Sequence, residues 1–421
     1  RATARWGRAV QQLDTSILQT VQQSLGAVKE VKLTGREAFF LGQLAERVPA
    51  AARLRLRYLT LGAAVNVVRR QTGVLAGSPG VAPGAFGMDA AAHAAAQPLW
   101  AYAYSTPPKP DDKAVPQAAP TRNLRPNENA EEQTRPRRVD GSSAAYSLVD
   151  IRDGHDVIDW FPDEHPPMTD IIRHGPASLM SQRGRACGSC HLPNGKGRPE
   201  NAPPAGQPAA YTVKQLQDMR DGLRRSADPR KPNSPTMNAL AAAMTDKEMR
   251  EAAEYFAAMP WTPWIRVVEA DLIPEMELEE GNMYITVGKE PTEPLAGRIV
   301  ETPVDEHQAN VLRNPRSSWI AYVPVGSLAR GKSLVTTGAG KTTPCSVCHG
   351  LDLMGLAIVP GIAGRSPSYM MRQLYDMKRG TRKGNWSELM QPVIAELSVD
   401  DMRDIVAYLA SITPPTVTAA R

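Results

Sequence analysis

All four cysteines of this 421-residue chain fall in two copies of one short pattern, C-x-x-C-H, at residues 187–191 and 345–349. Two thiols at this spacing can bond to both vinyl groups of one porphyrin, and the histidine that follows then lies under the iron. A thioredoxin-like redox pair and half of a zinc site also use C-x-x-C. Neither alternative requires histidine directly after the second cysteine in both copies. The pattern therefore predicts two covalently attached haems of the c type.

An internal repeat with an offset of 158 residues relates the two motifs. The same offset carries a Tyr-x-x-x-Gln-Leu-x-Asp-Met pattern from residues 211–219 onto residues 369–377. Two copies of one pattern indicate two tandem domains of one fold. The predicted haem-bonding residues are Cys187, Cys190, Cys345 and Cys348, and the predicted proximal iron ligands are His191 and His349.

Methionine is a common sixth ligand of haem iron that is already bound by histidine. The chain has 16 methionines, so most of them are expected to fill the core. A ligand should recur in both copies and lie in a loop before the closing helix. Met237 and Met390 meet both conditions and are the predicted distal ligands. Met219 and Met249 also recur, but they lie in helical patterns that favour core packing.

The haem motif, the helix that carries Gln-Leu-x-Asp-Met, the later methionine and the closing helix together resemble the class I cytochrome c fold. Two tandem copies resemble dihaem cytochromes of the c4 type, over about residues 170–262 and 327–413. In this family a loop proline usually offers its carbonyl to the proximal histidine. Pro360 meets that expectation in the second copy, whereas Ala202 stands at the equivalent position in the first.

The resemblance implies an all-α fold built on two such domains, with additional segments before and between them. Proline and charged residues dominate residues 98–170, which predicts an irregular extension. The first cytochrome domain is expected at residues 171–262 and the second at residues 327–413. The β-like runs in residues 263–326 predict a partly β strap between the two domains.

The beginning of the chain has a different character. Within residues 1–75, the stretch 18–41 resembles the connector helices of ABC-transporter membrane domains. We therefore interpret residues 1–90 as a helical segment from a fusion or a gene-model join, and we place no function on it.

Two methionine-ligated haems would leave no open iron position, which predicts a single-electron carrier rather than an enzyme. The expected partners are a dehydrogenase, an oxidase or another cytochrome, and association with a membrane complex is compatible with this role. A cytochrome subunit of a dehydrogenase complex is the main alternative. A dihaem peroxidase is a further alternative, but it would need a vacant distal site.

The chemistry of haem attachment, the net charge and the hydropathy together indicate the compartment of such a carrier and exclude some classes of partner. Haem is attached to C-x-x-C-H outside the cytoplasmic membrane, so we expect a periplasmic protein, although no export signal is recognised in the sequence. A net charge of +5 is too small to indicate binding of nucleic acid. No apolar run approaches the roughly 18 residues of a membrane-spanning helix.

Overall fold

The segment before the first motif contains short helices joined by irregular chain. The computed structural model describes residues 97–414, apart from 117–124, 126 and 280–282, and these residues belong to one compact unit. The segment predicted as a fusion or gene-model join, with its transporter resemblance, lies outside the described residues. The helices of the extension are α1 (Leu99–Tyr102), α2 (Ala130–Thr134), α3 (Leu148–Ile151) and α4 (Asp170–Arg173), with 3₁₀ turns at Pro162–Glu164 and Ala177–Gln182.

Four helices form the part of the chain that contains the first C-x-x-C-H motif, and the motif itself is the first of them. They are α5 (Cys187–His191), α6 (Ala209–Arg220), α7 (Asn233–Ala243) and α8 (Asp246–Ala257). Thr245 and Glu248 form a capping box that fixes the start of α8. Met249, Ala253 and Phe256 lie on one face of α8 and are buried, because they recur at helical spacing.

Six helices form the part of the chain that contains the second motif, and one of them lies within the motif. They are α9 (Ser327–Thr337), α10 (Ser346–His349), α11 (Pro367–Lys378), α12 (Asn385–Glu388), α13 (Gln391–Ile394) and α14 (Val399–Ser411), and a 3₁₀ turn lies at Gly338–Gly340. A capping box of Ser398 and Asp401 starts α14. Helices α9 and α14 cross so closely that a Cβ atom on Gly331 would lie 1.9 Å from the carbonyl oxygen of Asp404. Glycine is therefore required at this crossing.

Among the described residues, five strands lie between the two groups of helices, so this part of the chain is not purely α-helical. They are β1 (Ile265–Glu269), β2 (Leu272–Glu279), β3 (Met283–Pro294), β4 (Val300–Pro303) and β5 (Trp319–Val323), and a π-helical turn spans His307–Val311. The central strand β5 pairs parallel with β1 and antiparallel with β4. Strands β2 and β3 form an antiparallel hairpin whose register shifts near Pro274, where proline cannot donate to the ladder.

Each group of helices has its own apolar core. The first core includes Ile172, Met249 and Trp319, and the second includes Met371 and Val406. The β segment joins the first core through β5 and the π-helical turn. None of the described helices combines the length and the apolar composition that crossing a membrane requires.

Candidate haem sites

The first C-x-x-C-H motif forms helix α5, whose last residue is the predicted proximal ligand His191. The Nδ1–H of His191 donates to the carbonyl of Ala202 at 2.7 Å. This bond leaves Nε2 as the nitrogen that is available to a metal. Burial lowers the pKa of His191 below its ordinary value, which favours the neutral imidazole that metals bind.

The second motif repeats this geometry. The Nδ1–H of His349 donates to the carbonyl of Pro360 at 2.8 Å, and burial also lowers the pKa of His349. Both histidines bond to a carbonyl 11 residues further along the chain. Ala202 therefore occupies the place where the family has proline, and its backbone carbonyl accepts the same bond. The proline ring is not needed for that contact.

One cavity of about 280 Å³ brings together the residues predicted for the first site. Cys187, Cys190 and His191 line it, and so does Met237. Met237 lies within helix α7, so its predicted placement in a loop was wrong. Pro235 occupies the first turn of this helix, where a missing N–H costs little, and the helix therefore starts before the methionine.

The residues predicted for the second site pack against one apolar core. Cys345 and Met390 are both partly buried against the core that contains Met371. Met390 lies in a turn directly before helix α13, and the closing helix α14 comes after it, as predicted. Cys348 is exposed and His349 is buried.

Within the described residues none of the four cysteines is paired in a disulfide. All four therefore remain for the covalent attachment that the two motifs predict.

The polar lining of the first cavity fits the two carboxylates of a haem. Arg198, Arg224, Lys231 and Arg372 line the cavity. The Nε atom of Arg198 is buried and has no hydrogen-bond partner. Burial lowers the pKa of Lys231 to about 7. Arg198 pairs with Glu200 at 2.6 Å, but Arg224, Lys231 and Arg372 bring further positive charge to the lining. The residues present therefore fit a haem whose carboxylates would lie toward these cations.

Two arginines that the sequence analysis did not single out join the repeats. The hydrogen bonds run from Arg224 to Tyr369 (3.1 Å) and Gln373 (2.8 Å), and from Arg382 to Tyr211 (3.0 Å) and Gln215 (2.8 Å). Although burial raises the pKa of Tyr211, the guanidinium groups of Arg382 and Arg224 lower it overall. The arginines are related by the same offset of 158 residues as the haem motifs, so the repeat contains the signal that identifies them.

The loops that follow the two motifs differ in their exposure. None of residues 187–209 is exposed, whereas Leu351 is 83% exposed and Ile358 is 47% exposed. The first loop is covered by residues that come before β5, and the side chain of Asn194 donates to the carbonyl of Pro315 at 2.7 Å. The structure therefore shields the surroundings of one motif and leaves those of the other open to solvent.

Comparison with known proteins connects these sites to a family. The Cytochrome c family model matches residues 179–260. A 231-residue alignment with the thiosulfate dehydrogenase electron acceptor of Stutzerimonas stutzeri is 26% identical and covers 54% of this chain and 79% of that protein. Cytochrome c4 of Pseudomonas aeruginosa is 22% identical over 242 residues, which cover 56% of this chain and 89% of that protein.

A shorter relative is more nearly identical over a smaller part of the chain. Cytochrome c-554(548) of Halomonas halodenitrificans is 40% identical over 75 residues, which are 18% of this chain and 90% of that protein. The predicted resemblance to dihaem cytochromes of the c4 type is confirmed, as are the helical cytochrome fold and a haem-dependent role in electron transfer. This chain is a member of the cytochrome c family.

Proposed function

We propose that this chain is a periplasmic dihaem cytochrome that transfers single electrons between redox proteins. The observation that carries the proposal is the first cavity, where both thiols of the motif, the imidazole of His191 and the thioether of Met237 line one space. Cys187 and Cys190 hold the first haem, and Cys345 and Cys348 hold the second. The similarity to cytochrome c4 supports the count of two.

The four iron ligands in this proposal are His191 with Met237, and His349 with Met390. Covalent haem supplies the one-electron chemistry. The carbonyls of Ala202 and Pro360 orient the two imidazoles, which restricts ligand movement between oxidation states. The thioether of Met237 or Met390 would keep water from the iron when haem is bound and would raise the reduction potential.

The proposal includes two tandem class I cytochrome c domains, at residues 171–262 and 327–413. It is supported by the constant offset between the motifs and by the same histidine-to-carbonyl spacing in both. Residues 263–326 form the strap between these domains, and its strands β1, β4 and β5 belong to one sheet.

A second candidate function is that of an electron acceptor for a thiosulfate dehydrogenase. The Stutzerimonas stutzeri relative carries that name and matches over most of its length. The candidate predicts rapid reduction of this chain by purified thiosulfate dehydrogenase in the presence of thiosulfate. Reduction at the rate seen without the dehydrogenase would eliminate it.

Haem counting on periplasmic material tests the main proposal. A pyridine haemochrome assay and an intact-mass measurement should both give two haems per chain, and the mass also locates the mature N-terminus. The unmodified protein should neither bind cyanide rapidly nor turn over peroxide. Met237→Ala and Met390→Ala should each open one haem to cyanide and halve the far-red absorption band of thioether-bound ferric haem. A single haem, or rapid cyanide binding by the unmodified protein, would contradict the proposal.

A further inference from the structure

A segment outside both repeats, residues 97–104, binds to both of them. Tyr104 donates from its hydroxyl to the carbonyl of Arg230 at 2.8 Å, and the ring of Tyr104 lies under the Arg230 guanidinium. Tyr102 has no exposed surface and packs edge-on against Tyr375 of helix α11, with ring centroids 6.3 Å apart. The segment therefore contributes specific contacts to the junction between the repeats.

Two contacts of this segment end on side chains that line the first haem cavity. The guanidinium of Arg372 donates to the carbonyl of Ala101 at 2.7 Å. The hydroxyl of Tyr102 donates to Oδ1 of Asp376 at 2.6 Å, and the same oxygen accepts the backbone N–H of Ala227 at 2.8 Å. Arg372 and Asp376 are buried and line the cavity together with the first C-x-x-C-H motif, although they belong to the second repeat.

Buried charges beside a haem change its reduction potential. Oxidised iron carries one more positive charge than reduced iron, so an anion stabilises the oxidised form and a cation stabilises the reduced form. These effects are large where water is excluded. A hydrogen bond that decides whether a nearby carboxyl is ionised therefore influences the potential without touching the haem.

We propose that Ala101 and Tyr102 are positioning residues for the first haem: they hold Arg372 and Asp376 at the wall of its cavity and thereby influence its reduction potential. This inference rests on the proposed function, because it requires a haem in the cavity that Cys187 lines. It assigns an electron-transfer role to a segment that belongs to neither cytochrome repeat.

The other repeat provides an internal comparison. Asp218 stands at the position equivalent to Asp376, and it pairs with Lys214 of its own helix at 2.5 Å. In the first repeat, helix α6 itself supplies the partner of this aspartate. In the second repeat, Tyr102 supplies the partner from outside both repeats. The charged and titratable groups that act on Asp376 are Tyr102 from the extension, Arg224 from the first repeat, and Arg372, Tyr375 and Arg382 from the second.

The test is a spectroelectrochemical titration of the full-length holoprotein and its Tyr102→Phe variant. Burial raises the pKa of the Asp376 carboxyl to about 6. Loss of the Tyr102 donor should raise that pKa further, so that the carboxylate loses its charge near neutral pH. The equilibrium constant for reduction of the first haem should then increase by roughly three- to tenfold. Asp376→Asn should have the same effect and should remove the pH dependence between pH 5 and 7.

Tyr104→Phe is the matched control. It also removes one hydroxyl from this segment, but the acceptor of that hydroxyl, the Arg230 carbonyl, does not line the cavity. Thermal unfolding should change similarly in both tyrosine variants, but only Tyr102→Phe should move the potential. Equal shifts in both variants, or no shift in Tyr102→Phe and Asp376→Asn, would overturn the inference.

A third variant separates this test from the proposed function. Met237→His should lower the potential of the first haem and so identify its couple, because histidine replaces a thioether that raises the potential. If this variant moves neither couple, the proposed ligand is wrong. If it moves one couple that Tyr102→Phe and Asp376→Asn leave unchanged, the proposed function stands and the positioning role is refuted.

Discussion

Arg224 and Arg382 occupy equivalent positions in the two repeats, and their backbones pair as an antiparallel β-bridge at the junction between them. Each side chain donates to the tyrosine and the glutamine of the opposite repeat. The junction therefore has a local twofold pattern, in which each repeat completes the hydrogen bonding of the other.

Replacing Arg224 should weaken this junction. Arg224→Gln removes charge-assisted hydrogen bonds to Tyr369 and Gln373 at a buried position, and we expect a loss of about 2–4 kcal/mol in the free energy of unfolding. Denaturant titration of the holoprotein measures this loss. Arg220→Gln is the control, because Arg220 is exposed and its ion pairs lie on the surface, so little change is expected. Equal midpoints for Arg224→Gln and the unmodified protein would contradict the prediction.

Gly331 should not tolerate alanine. In most helices glycine-to-alanine substitution stabilises the helix by up to about 1 kcal/mol. Here the added Cβ would lie 1.9 Å from the backbone oxygen of Asp404, so helices α9 and α14 would have to separate. We expect Gly331→Ala to destabilise the protein by at least about 3 kcal/mol in denaturant unfolding. Lys332→Ala, on the exposed face of the same helix, should have a small effect; a stable Gly331→Ala variant would show that the helices do not cross as described.

The two haem loops should differ in their sensitivity to protease. Thermolysin, which cuts beside large apolar residues, should cleave the native holoprotein at Leu351 or Ile358 before it cleaves anywhere in residues 192–205. Cleavage requires local exposure of the backbone, and of these two loops only the second is exposed. Mass spectrometry of early fragments locates the cuts. Early cleavage within residues 192–205 would contradict the coverage of the first loop.

Protonation of His165 should stabilise the fold. Burial lowers the pKa of His165, but the hydrogen bond to Asp159, at 3.2 Å, and the carbonyl of Pro166 together raise it above the ordinary value of 6.5. A raised pKa means that the stabilisation is complete below pH 6.5 and is lost as the pH rises through the folded-state value. The difference in unfolding free energy between the unmodified protein and His165→Gln should therefore be larger at pH 5.5 than at pH 8.5. The same difference at both pH values would refute the prediction.

The methionines show what the internal repeat can and cannot predict about the candidate site. After a five-residue loop difference the offset between the repeats becomes 153 residues, which pairs Met237 with Met390. The structure brings Met237 to the same cavity as Cys187. The predicted loop around Met237 was wrong, because a proline in the first turn is compatible with a helix that begins before the methionine. The correspondence between the repeats therefore selects a methionine that lines the cavity, whereas the local pattern predicted its secondary structure wrongly.

The sequence by itself determined which residues form the two C-x-x-C-H motifs and which positions of the repeats correspond, because the motif is a short local spacing and tandem repeats keep equivalent residues at a nearly constant offset. Only the tertiary structure decided what surrounds each motif. Arg372 and Asp376 reach the first cavity from the other repeat, and Tyr102 reaches Asp376 across 274 positions of the chain. Such contacts depend on how whole elements pack, and no local pattern of residues carries that information.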